Sequence, residues 1–358
     1  MSHDRVSEQG LIQLMQRAGP ARAGVRVGIG DDCAVLEPTR DRPLLVTTDL
    51  LLEEVHFRRR YATPADIGWK ALAVNLSDIA AMGGTPRWAV VAVGCPDDVG
   101  VPAVEEFAES VWEIASAHGV TVVGGDTAAS PGGWIVNVTL VGEAAGRPLL
   151  RSGAKPGDLI AVTGTLGRSA AGLAGLERFP DDRGELALAH LRPAPRVREG
   201  QLLGSLDGVS AMIDLSDGLA TDLAHVAMQS GVGARVDLLR LPIDAATREA
   251  ARLLGADPIA WATSGGEDYE LLIALAPDAL SRVGDEVSLT VIGEITDTPT
   301  VEYVARDGRR AEVEPGFQHF VPPRRARASS SSSSAADAAP ARRPDDGSGP
   351  RLCRSELE

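Results

Sequence analysis

From position 71 to 86 the chain reads ALAVNLSDIAAMGGTP, and Asp78 is the only charged residue in it. A carboxylate in such apolar company is costly to bury unless it is paired, hydrogen-bonded or bound to a cation. At 100° per residue, Trp69, Leu72, Ala73, Leu76, Ile79 and Ala80 fall on one helical stripe, while Asn75 and Asp78 share the opposite face. One side is therefore expected to pack on a core and the other to offer two oxygen ligands. A hydrogen-bonded Asp within a tightly packed helix is the competing reading.

Four further stretches deliver aspartate in a common way, as a β-branched or Leu-rich run that stops at Gly, Thr or Ser. They are residues 25–32 (VRVGIGDD), 44–49 (LLVTTD), 120–126 (VTVVGGD) and 209–217 (VSAMIDLSD). A buried strand ending in small residues presents the next side chain at its tip, where α/β proteins collect ligands. Each Asp alone reads equally well as a turn or helix cap. Together these carboxylates would repel and raise each other's pKa unless cations lay among them. An all-oxygen set of Asp carboxylates with the hydroxyls of Thr47, Thr48 and Ser216 suits Mg²⁺, which is usually held jointly by carboxylates and substrate phosphates.

The elements that must position these residues alternate along the chain. A short amphipathic helix is expected at 7–18, strands at 25–29 and 44–48, the Asp78 helix, a strand at 88–93, a helix at 101–118 and strands at 120–123 and 134–141. Residues 147–156, rich in Gly and Pro, read as a linker. The second half restarts with strands at 159–162, 211–215, 271–274, 289–295 and 301–305, interleaved with helices after residues 167, 195, 218 and 245. Beyond Pro323 the composition is Arg, Ser, Ala, Pro and Asp, which buries no core and is expected to be a disordered tail. The alternation supports an α/β fold, mixed with α+β, in two domains at 1–147 and 148–323, followed by the tail at 324–358.

With 358 residues and a formal charge of −15, the chain has room for ample cores and is a poor candidate for a nucleic-acid binder, whose affinity comes largely from Lys and Arg. Lysine occurs only at Lys70 and Lys155, which reads as compositional bias rather than chemistry. Cys33, Cys95 and Cys353 lack paired or metal-ligand spacing, so a reducing, cytoplasmic setting is expected, without a signal segment or membrane span. A Walker A loop needs Gly before its Lys, but Trp69 precedes Lys70 and Ala154 precedes Lys155. Protein-kinase HRD and DFG triplets are missing, and the dinucleotide fingerprint that begins at Gly28 and Gly30 breaks at Cys33, which argues against a dehydrogenase. A nucleotide site in which Mg²⁺ on aspartates replaces lysine as the phosphate clamp remains.

The motifs GIGDDCAV, TTDLLLEEVHF, WKALAVNLSDIAAMGG, GGDT, RSGAKPGD, IDLSDGL and SGGEDYEL occur in that order between Gly28 and Leu271. In them the chain resembles the thiamine-monophosphate kinase family of the aminoimidazole-ribonucleotide-synthetase-like ATP-binding superfamily. The resemblance implies transfer of the γ-phosphate of ATP to thiamine monophosphate. It implies metal ligands at Asp32, Thr47, Thr48, Asp49, Asp78, Asp126, Asp214 and Asp217, with Asp78, Asp126 and Asp214 central to catalysis. ATP contacts fall on Gly125, Asp126, Arg151 and Ser216, and substrate contacts on His56, Glu267 and Phe317. It also implies a homodimer whose amino-terminal domains join their sheets. A phosphate monoester dianion needs no strong base to attack, so in-line transfer without a phosphoenzyme is expected. A sister enzyme with another small acceptor and a non-enzymatic divalent-cation binder are the rivals. On the plain reading, Glu267 caps a turn and His56 lies on the surface.

Overall fold

The computed structural model describes residues 24–27 and 33–317. The expected helix at 7–18, the Asp32 turn and the expected tail lie outside the described residues. In chain order the described elements are β1 (Val25–Val27), β2 (Val35–Leu36), β3 (Leu44–Leu52), α1 (Pro64–Ala81), β4 (Gly84–Pro96), α2 (Val101–Ala117), β5 (Thr121–Ser130), β6 (Ile135–Ala144), β7 (Leu159–Thr163), α3 (Arg168–Arg178), α4 (Glu185–Leu191), α5 (Val197–Gly204), β8 (Val209–Asp214), α6 (Leu219–Ser230), β9 (Gly233–Asp237), α7 (Ala245–Leu254), α8 (Pro258–Ser264), β10 (Leu271–Leu275), α9 (Pro277–Val283), β11 (Leu289–Thr296), β12 (Val301–Val304) and β13 (Arg310–Ala311). Among the described residues a four-stranded sheet has the order β3-β6-β4-β5 and a seven-stranded sheet the order β13-β12-β9-β11-β7-β10-β8. Only β4–β5 and β9–β12 pair in parallel within these two sheets; their other pairs are antiparallel. The fold is thus a mixed α/β arrangement in two domains rather than a doubly wound parallel one.

Strand β3 does not end at Asp49. It pairs with β6 without a break from Leu44↔Glu143 to Leu52↔Ile135, so Asp49 stands inside the strand, as Asp126 does in β5. The two-residue period of the strand then sorts its side chains. Leu45 and Leu51 are buried while Leu44, Val46 and Leu50 are exposed, so Thr47 and Asp49 share the inner face and Thr48 the outer.

Helix α1 opens with a capping box in which the Thr63 side chain accepts from the Asp66 N–H and the Asp66 carboxylate accepts from the Thr63 N–H, with Pro64 at its first turn. The expected amphipathic pattern is exceeded, since α1 is buried on nearly every side, between the four-stranded sheet, α2, α5 and β8. Asn75, expected on an open face, is fully buried, donates Nδ2 to the Ala71 carbonyl and keeps Oδ1 without a partner. The expected linker is not slack either: the Leu149 N–H bonds Met82 O and the Met212 N–H bonds Leu150 O.

One face of the seven-stranded sheet (Ala161, Met212, Leu271, Ile273) joins the core built around α1, and the other (Ile160, Val162, Ala211, Ile213) joins a core within the C-terminal domain. Asp214, two residues from Met212, is therefore turned toward α1. The short helices α4, α8 and α9, seven residues each, escape a periodicity search because each offers barely two turns. Of the three only α8 has a side-chain N-cap, Asp257, which is followed by Pro258.

Close packing at α1 depends on Gly68, where an added Cβ would lie 2.4 Å from the Phe107 carbonyl oxygen in α2. Gly175 in α3 has open space instead. We expect Gly68→Val to lower stability by about 2 kcal/mol or more through overpacking, and Gly175→Ala to raise it by about 0.5–1 kcal/mol. Denaturant titration of both variants checks this, and a neutral Gly68→Val would contradict the packing described.

Candidate active site

Three elements from distant parts of the chain bring one group of oxygens together. Strand β3 supplies Thr47 and Asp49, α1 supplies Ser77 and Asp78, and the end of β8 supplies Asp214. The Thr47 hydroxyl donates to Asp78 Oδ2, and the Ser77 hydroxyl donates to Asp214 Oδ2 at 2.7 Å. Thr47, Asp78 and Asp214 line a cavity of about 410 Å³ with Arg151, Ser152, Met212 and Gln229. Burial pushes Asp214 up to about 8, with the Asp78 charge adding to the rise and the Ser77 hydroxyl opposing it. Asp49 is pushed up to about 7 by burial and then by Asp78. Asp78 is itself raised by burial, against the Thr47 hydrogen bond and the positive charge of Arg151.

This is the electrostatic state a divalent cation would relieve, and the donors are all hard oxygens. Among the described residues no three acidic, His or Cys side chains already form a closed metal cage. Hard oxygen donors of this kind suit Mg²⁺, which is usually held jointly by carboxylates, phosphate oxygens and water. Thr47, Asp49, Asp78 and Asp214 are the residues that could hold it.

A second group lies around Glu267. Its backbone adopts the left-handed conformation, φ 57°, which is uncommon for a non-glycine residue and is kept where the surroundings demand it. Its N–H bonds the Ser216 carbonyl at 2.7 Å, and Gly266 has no room for a Cβ, which would stand 2.9 Å from Ser216 O. Lys70 Nζ lies 3.2 Å from both Glu267 carboxylate oxygens and 3.4 Å from the His56 carbonyl. His190 Nδ1 lies 3.2 Å from Glu267 Oε2 and 3.0 Å from Ser169 Oγ. Burial opposes ionisation of Glu267, but Lys70 and then His190 hold its pKa below the usual carboxylate value. His56 Nδ1 accepts the Leu52 N–H at 3.0 Å, which fixes its ring. The Phe317 N–H bonds the Asp217 carbonyl at 3.0 Å, setting this half-exposed aromatic beside the 216–217 turn that holds Glu267.

The other acids of the SGGEDYEL segment are structural. Asp268 accepts the N–H groups of Gly167 and Ser169 at the start of α3, and Glu270 takes a two-pronged bond from Arg196 at 2.6 Å on each oxygen. Asp222, likewise, accepts the N–H groups of Asp217 and Gly218.

Not every expected site residue joins these groups. The Thr48 hydroxyl points to the outer face of its sheet, toward Thr139 and Asn137, away from Thr47 and Asp49. Asp126 is exposed and level with Leu50, because it pairs with Ala92, Ala92 with Asn137 and Asn137 with Leu50. Directly paired residues point the same way, so Asp126 is also on the outer face, three strand spacings or roughly 14 Å from β3. Gly125 has a packing reason of its own, since a Cβ there would lie 2.1 Å from Val91 O. Asp32 lies outside the described residues.

Sequence reasoning missed Lys70, Ser77, Arg196 and His190. A signal existed for Lys70, one of only two lysines, directly before an apolar helical run. His190 sits in a helix too short for its buried face to be read.

The N-terminal domain of AIR synthase related proteins matches residues 30–144 and the C-terminal domain residues 155–305. Thiamine-monophosphate kinase of Escherichia coli (strain K12) is 40% identical over 330 residues, 87% of this chain and 98% of that one. The crystal structure of thiamine-monophosphate kinase from Stenotrophomonas maltophilia K279a superposes with a TM-score of 0.75 at 38% identity, covering 87% of this chain and all of that one. AaThiL complexed with AMPPCP and TMP superposes with a TM-score of 0.72 at 36% identity, over 87% and 97% of the two chains.

The raised carboxylates imply a pH signature. A carboxyl whose folded pKa exceeds its unfolded value binds protons more readily in the fold, so stability rises as pH falls through the folded value toward about 4. With Asp214 at about 8 and Asp49 at about 7, cation-free protein gains stability on going down through that window. Its melting temperature is expected to be higher at about pH 6.5 than at about pH 8.5, and Asp214→Asn should flatten the dependence. An equal slope in wild type and variant would show that Asp214 is not the group responsible.

Proposed function

Because the chain belongs to the thiamine-monophosphate kinase family of AIR synthase related proteins, and is thus a phosphotransferase, we propose that it phosphorylates thiamine monophosphate with ATP by direct in-line transfer. An oxygen of the acceptor phosphate attacks the γ-phosphorus, the bond to the β-phosphate oxygen breaks, and thiamine diphosphate and ADP result. The observation that carries this reading is the convergence of Thr47, Asp78, Asp214 and Arg151 on one cavity. Mg²⁺ held on Thr47, Asp49, Asp78 and Asp214, with Asp32 and Asp217 as the further ligands the family resemblance implies, would neutralise charge as two polyanions meet. Arg151 supplies fixed positive charge to the nucleotide phosphates. Ser77 holds Asp214 in place, and Thr47 does the same for Asp78. Glu267, fixed by Lys70, faces the cationic thiazolium or the pyrimidine of the acceptor, with His56 next to it and Phe317 as a stacking face. Ser216 takes part in nucleotide binding from the same turn whose carbonyl orders Glu267.

Residues 1–147 form the nucleotide and cation domain in this reading and 148–323 the C-terminal domain. The outer face of the four-stranded sheet exposes Leu44, Val46, Leu50, Val90 and Ile135. Such a contiguous apolar surface supports pairing of two amino-terminal sheets in a homodimer. Asp126 and Thr48 belong to that face, so any share they take in the nucleotide site is taken across the pairing.

Purified protein is expected to consume ATP with thiamine monophosphate, and not with thiamine or aminoimidazole precursors, and only with Mg²⁺ present. Asp78→Asn should cut kcat by about 100-fold or more, and Glu267→Gln should instead raise KM for thiamine monophosphate with little change in KM for ATP. Near-normal turnover of Asp78→Asn would remove Asp78 from the reacting centre. Val46→Glu should yield monomer by light scattering, and an undisturbed dimer would place the interface elsewhere. If Asp126 acts across that interface, mixing inactive Asp126→Asn with inactive Asp78→Asn should restore part of the activity in mixed dimers.

A further inference from the structure

Lys70 is the most deeply buried cation among the described residues whose partner is a proposed substrate contact: its side chain is 3% exposed and that of Glu267 is 26% exposed. A buried ammonium next to an acid is costly to desolvate, and a structural role alone would be met by an apolar side chain of similar length. Its three donors are distributed in a defined way. They reach both carboxylate oxygens of Glu267 and the carbonyl of His56, so one cation ties together the two residues assigned to the acceptor.

His190 closes the arrangement from the other side. Its ring is 2% exposed and its Nε2 has no partner among the described residues, so the tautomer that leaves no buried N–H unpaired carries the proton on Nδ1, 3.2 Å from Glu267 Oε2. Burial and the nearby Lys70 charge keep this imidazole neutral, pushing it down to about 3. Glu267 is therefore clamped by a full charge and a neutral donor while its backbone is held at positive φ.

Lys70 also shares α1 with Asp78, eight residues on. At 1.5 Å per residue the two lie about 12 Å apart along the helix axis, on the scale of a thiamine phosphate from its organic half to its phosphate. We propose that Lys70, seconded by His190, is a positioning residue that aims the Glu267 carboxylate and the His56 segment at the organic half of the acceptor, with α1 setting its distance from the Asp78 cluster. This rests on the reading of Glu267 as an acceptor contact.

The test compares Lys70→Met, Lys70→Arg, Glu267→Gln and Lys70→Met/Glu267→Gln in the full-length protein, measuring kcat and both KM values. Lys70→Met is expected to raise KM for thiamine monophosphate by about tenfold or more while KM for ATP stays within about twofold, and Lys70→Arg should recover part of the loss. Because Lys70 acts through Glu267, the double variant should match Glu267→Gln to within about threefold. The double variant removes both charges, so it remains informative should Lys70→Met alone fail to fold. An unchanged acceptor KM in folded Lys70→Met, parallel rises in both KM values, or a double variant much worse than Glu267→Gln would each overturn the proposal. A normal acceptor KM in Glu267→Gln would instead remove the acceptor reading on which it rests.

Discussion

Burial of a helix that carries charge is the constraint on which the rest depends. Helix α1 is enclosed by a sheet, two helices and the second domain, yet it holds Lys70 and Asp78 and the polar Ser77. Each must find a partner, because leaving one member of a buried pair alone costs about 3–5 kcal/mol when fully desolvated. None of the partners that matter is local. Lys70 takes Glu267, Ser77 takes Asp214 and Asp78 takes Thr47, from segments up to 197 residues away. Satisfying one helix therefore docks the C-terminal domain on the N-terminal one and assembles the site in the same step.

The carboxylate cluster and the Glu267 group respond to burial in opposite directions. Burial raises Asp49, Asp78 and Asp214, and the Asp78 charge raises Asp49 and Asp214 further. Glu267 meets Lys70 and ends below its ordinary value although it too is desolvated. One region is thus deficient in positive charge and open to cations, while the other is already balanced and needs none. The proposed division between phosphate chemistry and recognition of an organic group rests on that contrast.

Backbone geometry adds to the division. The 264–269 loop interlocks with the 215–218 turn through Gly218, Gly266 and the Glu267 N–H, and it tolerates Glu267 and Tyr269 at positive φ. Strain of this kind costs on the order of 1–3 kcal/mol per residue and survives only where packing over-determines it. Here it aims Glu267 toward Lys70 and leaves Asp268 and Glu270 to serve the helix start at α3 and Arg196.

The amino-acid sequence by itself marked Asp49, Asp78 and Asp214 as candidate site residues and predicted most of the elements that carry them, because a lone Asp in an apolar run and β-branched runs ending in Asp are local patterns with local physical costs. The family motifs and the mixed α/β order were legible for the same reason. What tertiary structure decided is which face each residue takes and whom it meets. Asp49 and Thr48 are neighbours in sequence yet stand on opposite sides of a sheet, since β3 runs on past both and its period of two separates them. Asp126 shares the pattern of Asp214 but lies across three strands from β3, on the outer face. Lys70 and His190 gave no periodic signal, and their meaning comes entirely from a carboxylate that pairwise proximity, not chain position, places between them.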